Sequence, residues 1–383
     1  MSRTRARRWA ASIALGALAG CAGDAGAPDA AVGPSVREVA SVLLADTDSL
    51  PLGNLLEHTR GSDGTIYVGD VNQGTVHAYA PDGTLRRVIG KMGSGPGELR
   101  SLGKPQLLPG DSLLSVVDIA LQRMSLFRAA DGAFVKSFAT PARGFGGTWT
   151  VRGDTATMGV FFESFLVGEW MMSDSVFRVF GKTPERMLKN PFALLSHGRG
   201  EVVRLDTLLV AALPTEPGLS LMNRQGAHTG FVRVPVARRR GPPDDLFDLM
   251  NRESGVKGDG PPPGYKIRSA MMGFGLRPDG AYMLLHMDAD VDPPTAQLAH
   301  VAKEKSLKLW VSLVAADFAR ACVDAALPIE SIDVPFVHLR GDTVDVVARR
   351  LEGDAPATRI HSFVVSAEGC DWRPTGGVVA PRP

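Results

Sequence analysis

The sequence has almost no net charge. Its 42 lysine and arginine residues are balanced by 41 aspartate and glutamate residues, which leaves +1 at pH 7. Nucleic-acid-binding domains concentrate positive charge, so this balance argues against a nucleic-acid partner. The chain also lacks a Gly-x-Ser-x-Gly nucleophile elbow and a His-Glu-x-x-His zinc motif. Two well-known hydrolase signatures are therefore absent.

The apolar run at the N terminus, residues 9–18, is too short to span a bilayer, which requires about 20 residues. Four arginines precede this run, and Leu18-Ala19-Gly20-Cys21 closes it. That order is typical of a secretory signal. Leu-Ala-Gly-Cys resembles the lipobox of bacterial lipoproteins. In that family the cysteine is diacylated on its sulfur, the signal is cut immediately before the cysteine, and the new amine is then acylated. The alternative is ordinary cleavage near Ala22, with Cys21 lost or free.

The lipobox resemblance implies a location as well as a modification. Residues 1–20 are then a signal peptide, and residues 21–35 are a lipidated cysteine followed by a flexible tether of Gly, Ala, Pro and Asp. The membrane is a partner through the lipid on Cys21. Ala22, rather than an aspartate, follows the cysteine, which favours the outer membrane where one exists. We therefore expect an exported, lipid-anchored protein of the cell envelope.

Cysteine is scarce, with three residues in the chain. If Cys21 carries lipid, Cys322 and Cys370 remain. They show no zinc-ligand spacing with a second cysteine pair or a nearby histidine. Two leftover cysteines in an exported chain are expected to pair. The sequence therefore predicts a Cys322–Cys370 disulfide.

Two segments near the start of the body repeat each other at an interval of about 48 residues. Asp70 in the first matches Asp118 in the second, and Tyr79 matches Phe127. A period of roughly 40–50 residues in strand-rich sequence is typical of the blades of a β-propeller. An acidic turn marker then recurs six times, at Asp63-Gly64, Asp111-Ser112, Asp154-Thr155, Asp206-Thr207, Asp279-Gly280 and Asp342-Thr343.

The six markers predict an all-β, six-bladed propeller of four-stranded antiparallel blades over residues 36–373. Two inserts carry short helical patterns, at 244–250 and 295–305, and residues 374–383 read as a disordered tail. The strand-like run Val39–Leu44 precedes the first blade and has no blade of its own. We expect it to complete the sixth blade and so to seal the ring.

Blade one resembles the NHL-repeat type of six-bladed propeller. The resemblance rests on residues 64–70, 76–79 and 93–99, and blade two continues it through 117–118 and 123–127. It covers residues 60–138, about a fifth of the chain. It implies that Asp70 and Asp118 support blade turns, a structural role.

Two histidines are candidates for the propeller axis. His58 and His338 each lie just before a turn marker, in the strand expected nearest the axis. Blades one and six are neighbours in a ring, so the two side chains are predicted to line one side of the central channel. The alternative is that both are buried structural histidines.

The long insert 237–269 is the candidate partner face. It carries Leu246, Phe247, Leu249 and Met250, more apolar surface than a solvated loop requires. We expect this helix either to cap the mouth of the channel or to dock a partner; the alternative is that it packs on the neighbouring blade. The leading hypothesis is a binding propeller for a protein or glycan, with no catalytic residues and no cofactor. A calcium-dependent lactonase-like hydrolase or a lyase acting through the channel is the alternative, and a structural or sensory envelope module is a third possibility.

Overall fold

The computed structural model describes residues 32–45, 52–53, 56–140, 150–159, 165–174, 176–183, 201–213, 216, 218–238, 270–289, 307–329, 336–352 and 355–381. The signal, Cys21, the helical patterns and Leu246, Phe247, Leu249 and Met250 lie outside these residues, so those assignments stay predictions. No helix in the described part has the length and apolarity needed to cross a bilayer.

Strands account for most of the described residues. In chain order they are β1 Ser35–Leu43, β2 Leu56–Arg60, β3 Ile66–Asp70, β4 Thr75–Tyr79, β5 Leu85–Ile89, β6 Gln106–Leu107, β7 Leu113–Asp118, β8 Arg123–Arg128, β9 Phe134–Ala139, β10 Thr150–Arg152, β11 Thr155–Gly159, β12 Phe165–Met171, β13 Val176–Lys182, β14 Glu201–Arg204, β15 Leu208–Ala212, β16 Gly218–Asn223, β17 His228–Arg233, β18 Ala270–Leu276, β19 Tyr282–Ala289, β20 Leu307–Val314, β21 Arg320–Ala326, β22 Phe336–Arg340, β23 Thr343–Glu352, β24 Ala355–Ser366, β25 Arg373–Pro374 and β26 Val378–Val379.

These strands form six antiparallel sheets, which are the six blades predicted from the sequence. Blades one to five each begin with four consecutive strands, β2–β5, β6–β9, β10–β13, β14–β17 and β18–β21, and blade six contains β22–β24 and β1. The first strands of most neighbouring blades contact one another, so they form the inner wall of the ring. The six-bladed all-β fold is confirmed.

Each junction between blades has its own hydrophobic cluster. One cluster joins each pair of neighbouring blades around the ring, including the pair six and one that closes it. The middle strands are buried on both faces by these junctions; β3 and β4, for example, are buried at every position. Burial on both faces explains why these strands do not alternate between apolar and exposed polar residues.

Strand β1 closes the ring, as the sequence predicts. It pairs antiparallel with β24, from Ser35 opposite Ser366 to Leu43 opposite Arg359. Just beyond it, Leu44 is buried between blades six and one, and its N–H donates to the Thr358 carbonyl at 2.9 Å. The N-terminal strand thus joins the last blade to the first.

The repeated aspartates support equivalent turns in blades one and two. Asp70 accepts backbone N–H groups from Asn72 and Gln73, and also one from Gly53 at 2.7 Å. Asp118 likewise accepts from Leu121 and Arg100. Both carboxylates are fully buried. The structural role implied by the resemblance is therefore present at both positions.

The disulfide between Cys322 and Cys370 is present and joins blade five to the segment that follows blade six. It closes a loop of 48 residues. In the chain-entropy treatment, a loop of this length disfavours the unfolded chain by about 4 kcal/mol.

The C-terminal segment is not the disordered tail that its composition suggests. Its strand β25 pairs with β21 of blade five, and β26 pairs with β17 of blade four. The Thr375 N–H also donates to the Ala319 carbonyl at 3.0 Å. Described residues 374–381 therefore run along the outside of blades five and four and add a fifth strand to each. The prediction of a disordered tail is wrong for this part.

Candidate functional site

Polar side chains are buried where blades one, two and six meet at the inner wall. We call this group the axial cluster; its members are His58, Thr59, Arg60, Lys104, His338 and Asp345. All but Arg60 are buried, and Arg60 keeps only a small exposed fraction. Strand β2 supplies three of them, and the β22–β23 hairpin supplies two.

The two predicted histidines do come together. The ring centroids of His58 and His338 are 5.8 Å apart with the planes nearly perpendicular. Nε2 of His338 lies 3.4 Å from the Thr59 hydroxyl. His58 and His338 are only 1 % and 7 % exposed, so neither lines open, solvent-filled space. Both nitrogens of His58 and Nδ1 of His338 lack a hydrogen-bond partner among the described residues.

Lys104 reaches from blade two to blade six. Its ammonium donates to the Val337 carbonyl at 3.2 Å, although blade one separates the two blades in the ring. Burial lowers the pKa of Lys104, while the carboxylates of Glu201 and Asp345 act in the opposite direction. The lysine therefore ties the segment before β6 to the innermost strand of the last blade.

Arg60 and Asp345 form a second polar link, which joins blade one to blade six. Arg60 Nε lies 3.4 Å from Asp345 Oδ2, and the Ser362 hydroxyl donates to Asp345 Oδ1 at 2.5 Å. Asp345 is fully buried; the Ser362 hydroxyl supplies a hydrogen bond to Oδ1, and the guanidinium charge of Arg60 lies close to Oδ2. Blade six is thus held to blade one by polar contacts inside and by β1 outside.

Burial and the nearby positive charges both lower the pKa values of the two imidazoles. Burial lowers the pKa of His58 well below its usual value, and the positive charges of Lys104 and Arg60 lower it further. Burial likewise lowers the pKa of His338, with Lys104, His58, Arg340 and Arg60 adding to the effect.

The axial cluster does not fit the calcium site of the lactonase-like alternative. Calcium takes six to eight oxygen ligands, whereas this group presents an ammonium, a guanidinium and two imidazoles around one carboxylate. Within the described ranges, no three His, Cys, Asp or Glu side chains lie close enough together to hold a metal ion.

A cavity of about 260 Å³ is lined by residues of blades three, four, five and six. Valine, leucine and phenylalanine side chains make up most of its lining, which comprises Thr150, Val151, Val202, Val203, Phe274, Gly275, Leu276, Leu339 and Gly341. Thr150 is engaged, since its hydroxyl donates to the Val202 carbonyl at 3.1 Å. The cavity is slightly smaller than ordinary ligand sites, which occupy roughly 300–1,000 Å³.

A buried ion pair between blades three and four has no counterpart in the sequence analysis. Glu169 is buried in β12 and accepts from Arg178 of the same blade and from Arg204 of β14. Nothing in a single glutamate within a strand indicates a partner 35 residues later. The contact with Arg204 joins the two blades, and the contact with Arg178 lies within blade three.

Comparison with known proteins supports the fold. A predicted exported protein from Bacteroides fragilis is similar at a TM-score of 0.54 and 10% identity, over 86% of this chain and 95% of that one. A member of the DUF4221 family from Bacteroides vulgatus has a TM-score of 0.55 and 8% identity, over 87% and 99% of the two chains. No protein-family model and no curated protein matches the sequence. The NHL-repeat resemblance therefore remains a prediction.

Proposed function

We propose that this protein is an exported, lipid-anchored propeller that binds a protein or glycan partner of the cell envelope. Cys21 would carry the lipid, and the signal-like order of residues 1–21 supports export. The Bacteroides fragilis neighbour is itself described as an exported protein, which agrees with export.

One observation carries the binding proposal. The Lys104 ammonium of blade two donates a hydrogen bond to the Val337 carbonyl of blade six, past the intervening blade one. With His58, Arg60, His338 and Asp345 packed around it, this part of the axis serves ring closure. We therefore assign partner binding to the outer surface and to the loops between blades. Loops as long as insert 237–269 are uncommon in compact domains unless they are functional or disordered.

The insert is the first surface to test. Residues 239–264 are replaced by a short Gly-Ser linker; Arg238 is kept because its guanidinium lies 4.7 Å from the Trp310 ring centre. The shortened and intact proteins are compared by thermal melting and by cross-linking mass spectrometry on intact envelopes. We expect an unchanged melting temperature and the loss of the cross-links formed by the intact protein.

Two outcomes count against this assignment. If the shortened protein keeps every cross-link, the insert is not the working surface. If it unfolds, Leu246, Phe247, Leu249 and Met250 belong to the core rather than to a partner face. An intact protein that forms no specific cross-links in its own envelope would contradict the binding function itself.

A further inference from the structure

The described part of the chain begins beside its own C-terminal segment. The Val32 carbonyl accepts the Asp371 N–H at 3.0 Å, next to Cys370 of the disulfide. From there the chain crosses the outer edges of blades five and four through β25 and β26. We call Val32 together with residues 371–381 the C-terminal band.

Large apolar side chains are exposed along the C-terminal band. Val32 is 62 % exposed, and Val378 and Val379 are 52 % exposed each, the three highest values among the large apolar residues that the structure describes. Trp372 is half-buried against the hydrophobic cluster between blades five and six, and the Arg320 guanidinium lies 5.8 Å from its ring centre. Contiguous exposed apolar surface of this kind marks an interaction site.

The rest of the protein holds the C-terminal band in place. The disulfide fixes Cys370, and the Thr375 N–H donates to the Ala319 carbonyl at 3.0 Å. On blade four, a Cβ atom on Gly230 would lie 2.5 Å from Cγ1 of Val378, so β26 packs closely on β17 there. The band therefore presents its exposed side chains at fixed positions.

The charges of the C-terminal band are balanced. Asp371 and Arg373 are the only charged residues among 371–381, and Arg373 Nε lies 3.0 Å from Asp371 Oδ2. A partner recognised by its charge would require an excess of one sign on this surface. The band instead fits an apolar partner surface without net charge.

The length of chain before Val32 indicates which surface the band meets. Ten residues, 22–31, separate Val32 from Cys21, the residue predicted to carry lipid. Fully extended, this length of chain reaches at most about 40 Å, and a flexible chain of this length spans about 18 Å on average. Anchoring of Cys21 in a bilayer therefore keeps Val32, where the band begins, close to that bilayer.

We propose that the C-terminal band docks on the phospholipid bilayer in which the lipid of Cys21 is anchored. Val32, Val378 and Val379 enter the boundary between headgroups and acyl chains, and Trp372 lies at the interface. Three valines alone bind weakly, but the tether supplies an effective concentration of about a millimolar. This inference rests on the proposed lipid anchoring and adds to it the side of the propeller that faces the membrane.

The test attaches the mature chain to vesicles without relying on cellular lipidation. Cys322 and Cys370 are joined in the disulfide, so Cys21 supplies the only thiol of residues 21–383. Protein prepared without lipid is coupled through this thiol to a maleimide lipid in phosphatidylcholine vesicles that contain a nitroxide-labelled lipid. Quenching of tryptophan fluorescence is measured, and the contribution of Trp372 is the difference from Trp372→Phe.

We expect the Trp372 fluorescence to be quenched, and the quenching to persist when salt is raised from about 0.1 to 1 M, because apolar contacts are not screened. Val32→Asp combined with Val379→Asp should reduce the quenching at least about threefold, since a charge resists entry into apolar surroundings. Val88→Asp combined with Val135→Asp is the matched control and should leave it unchanged. These exposed valines lie on β5 and β9 of blades one and two, opposite blades four and five in the ring.

Unquenched Trp372 in the coupled protein, equal effects of the two double variants, or loss of the quenching in high salt would each overturn the proposal. Unquenched Trp372 together with envelope cross-links from the band to a protein would assign this surface to a protein partner instead. A native Cys21 that carries lipid, with Trp372 unquenched, would reject the docking surface while the anchoring stands. A native Cys21 without lipid would reject the proposed anchoring itself, whatever the vesicles show.

Discussion

Deleting residues 22–45 is expected to remove most of the stability of the propeller, whereas deleting residues 22–31 is expected to leave its melting temperature unchanged. The longer deletion removes β1 and with it the backbone ladder to β24, and also Leu44 from the seam between blades six and one. Net backbone hydrogen bonds contribute about 1 kcal/mol each and a buried leucine about 2 kcal/mol. The loss is therefore on the order of 5–10 kcal/mol, comparable to the whole stability of many domains.

Thermal unfolding followed by circular dichroism measures this effect. Both truncations keep Cys21, so they differ only in residues 32–45, which contain the closing strand. Leu44→Ala provides an intermediate case, with an expected cost of about 2–5 kcal/mol for a fully buried leucine. If the two truncations melt at the same temperature, β1 does not seal the ring, and blades six and one must be held together by the axial cluster and the rest of their hydrophobic cluster.

The second large effect is a loss of stability in mildly acidic solution. His58 and His338 are buried, and their folded-state pKa values lie below those in the unfolded chain. The unfolded chain therefore binds protons near pH 6.5 while the folded chain does not. Stability is full above that pH and falls as the pH drops below it, by up to about 1.4 kcal/mol per pH unit for each histidine.

Carboxylates contribute in a different pH range. Hydrogen bonds lower the pKa of Asp63, Asp131 and Asp279 in the folded protein, so their contribution is lost only at more acidic pH. Between pH 6.5 and 5, the slope therefore reports on the histidines. Urea unfolding across this range should show the free energy of unfolding falling by about 2–3 kcal/mol per pH unit.

Glutamine variants identify the groups responsible. His58→Gln with His338→Gln should flatten the pH dependence between pH 6.5 and 5, whatever the stability at pH 7.5. His228→Gln is the matched control, because His228 is partly exposed and its ring bonds the Lys182 carbonyl at 2.9 Å. A double variant that keeps the wild-type slope would show that the two imidazoles are not buried and neutral as the structure places them.

Features that repeat or alternate along the chain were predictable. The spacing of Asp70 and Asp118 and the six turn markers gave the blades, and an orphan apolar strand indicated the closing β1. The adjacency of His58 and His338 followed from the ring itself, because equivalent positions of neighbouring blades meet at the inner wall. The Cys322–Cys370 bridge followed from having two cysteines left over.

Features that depend on single long-range contacts were not predictable. Lys104 is one lysine before a proline, and its partner is a backbone carbonyl 233 residues away. The strands β25 and β26 have two residues each, too few to show any periodicity, and their glycine- and proline-rich surroundings are typical of a tail. Their position depends on strand edges supplied by other blades, and on the absence of a side chain at Gly230, where a Cβ atom would lie 2.5 Å from Cγ1 of Val378.

The central claim is that this propeller acts while anchored to the cell envelope through Cys21. Mass spectrometry of the N-terminal peptide, from protein extracted from native membranes, tests it most directly. We predict a chain that begins at Cys21 and carries a diacylglyceryl group on its sulfur and an acyl chain on its amine, since two or more chains are needed for stable anchoring. An unmodified N terminus at Ala22 would contradict the account.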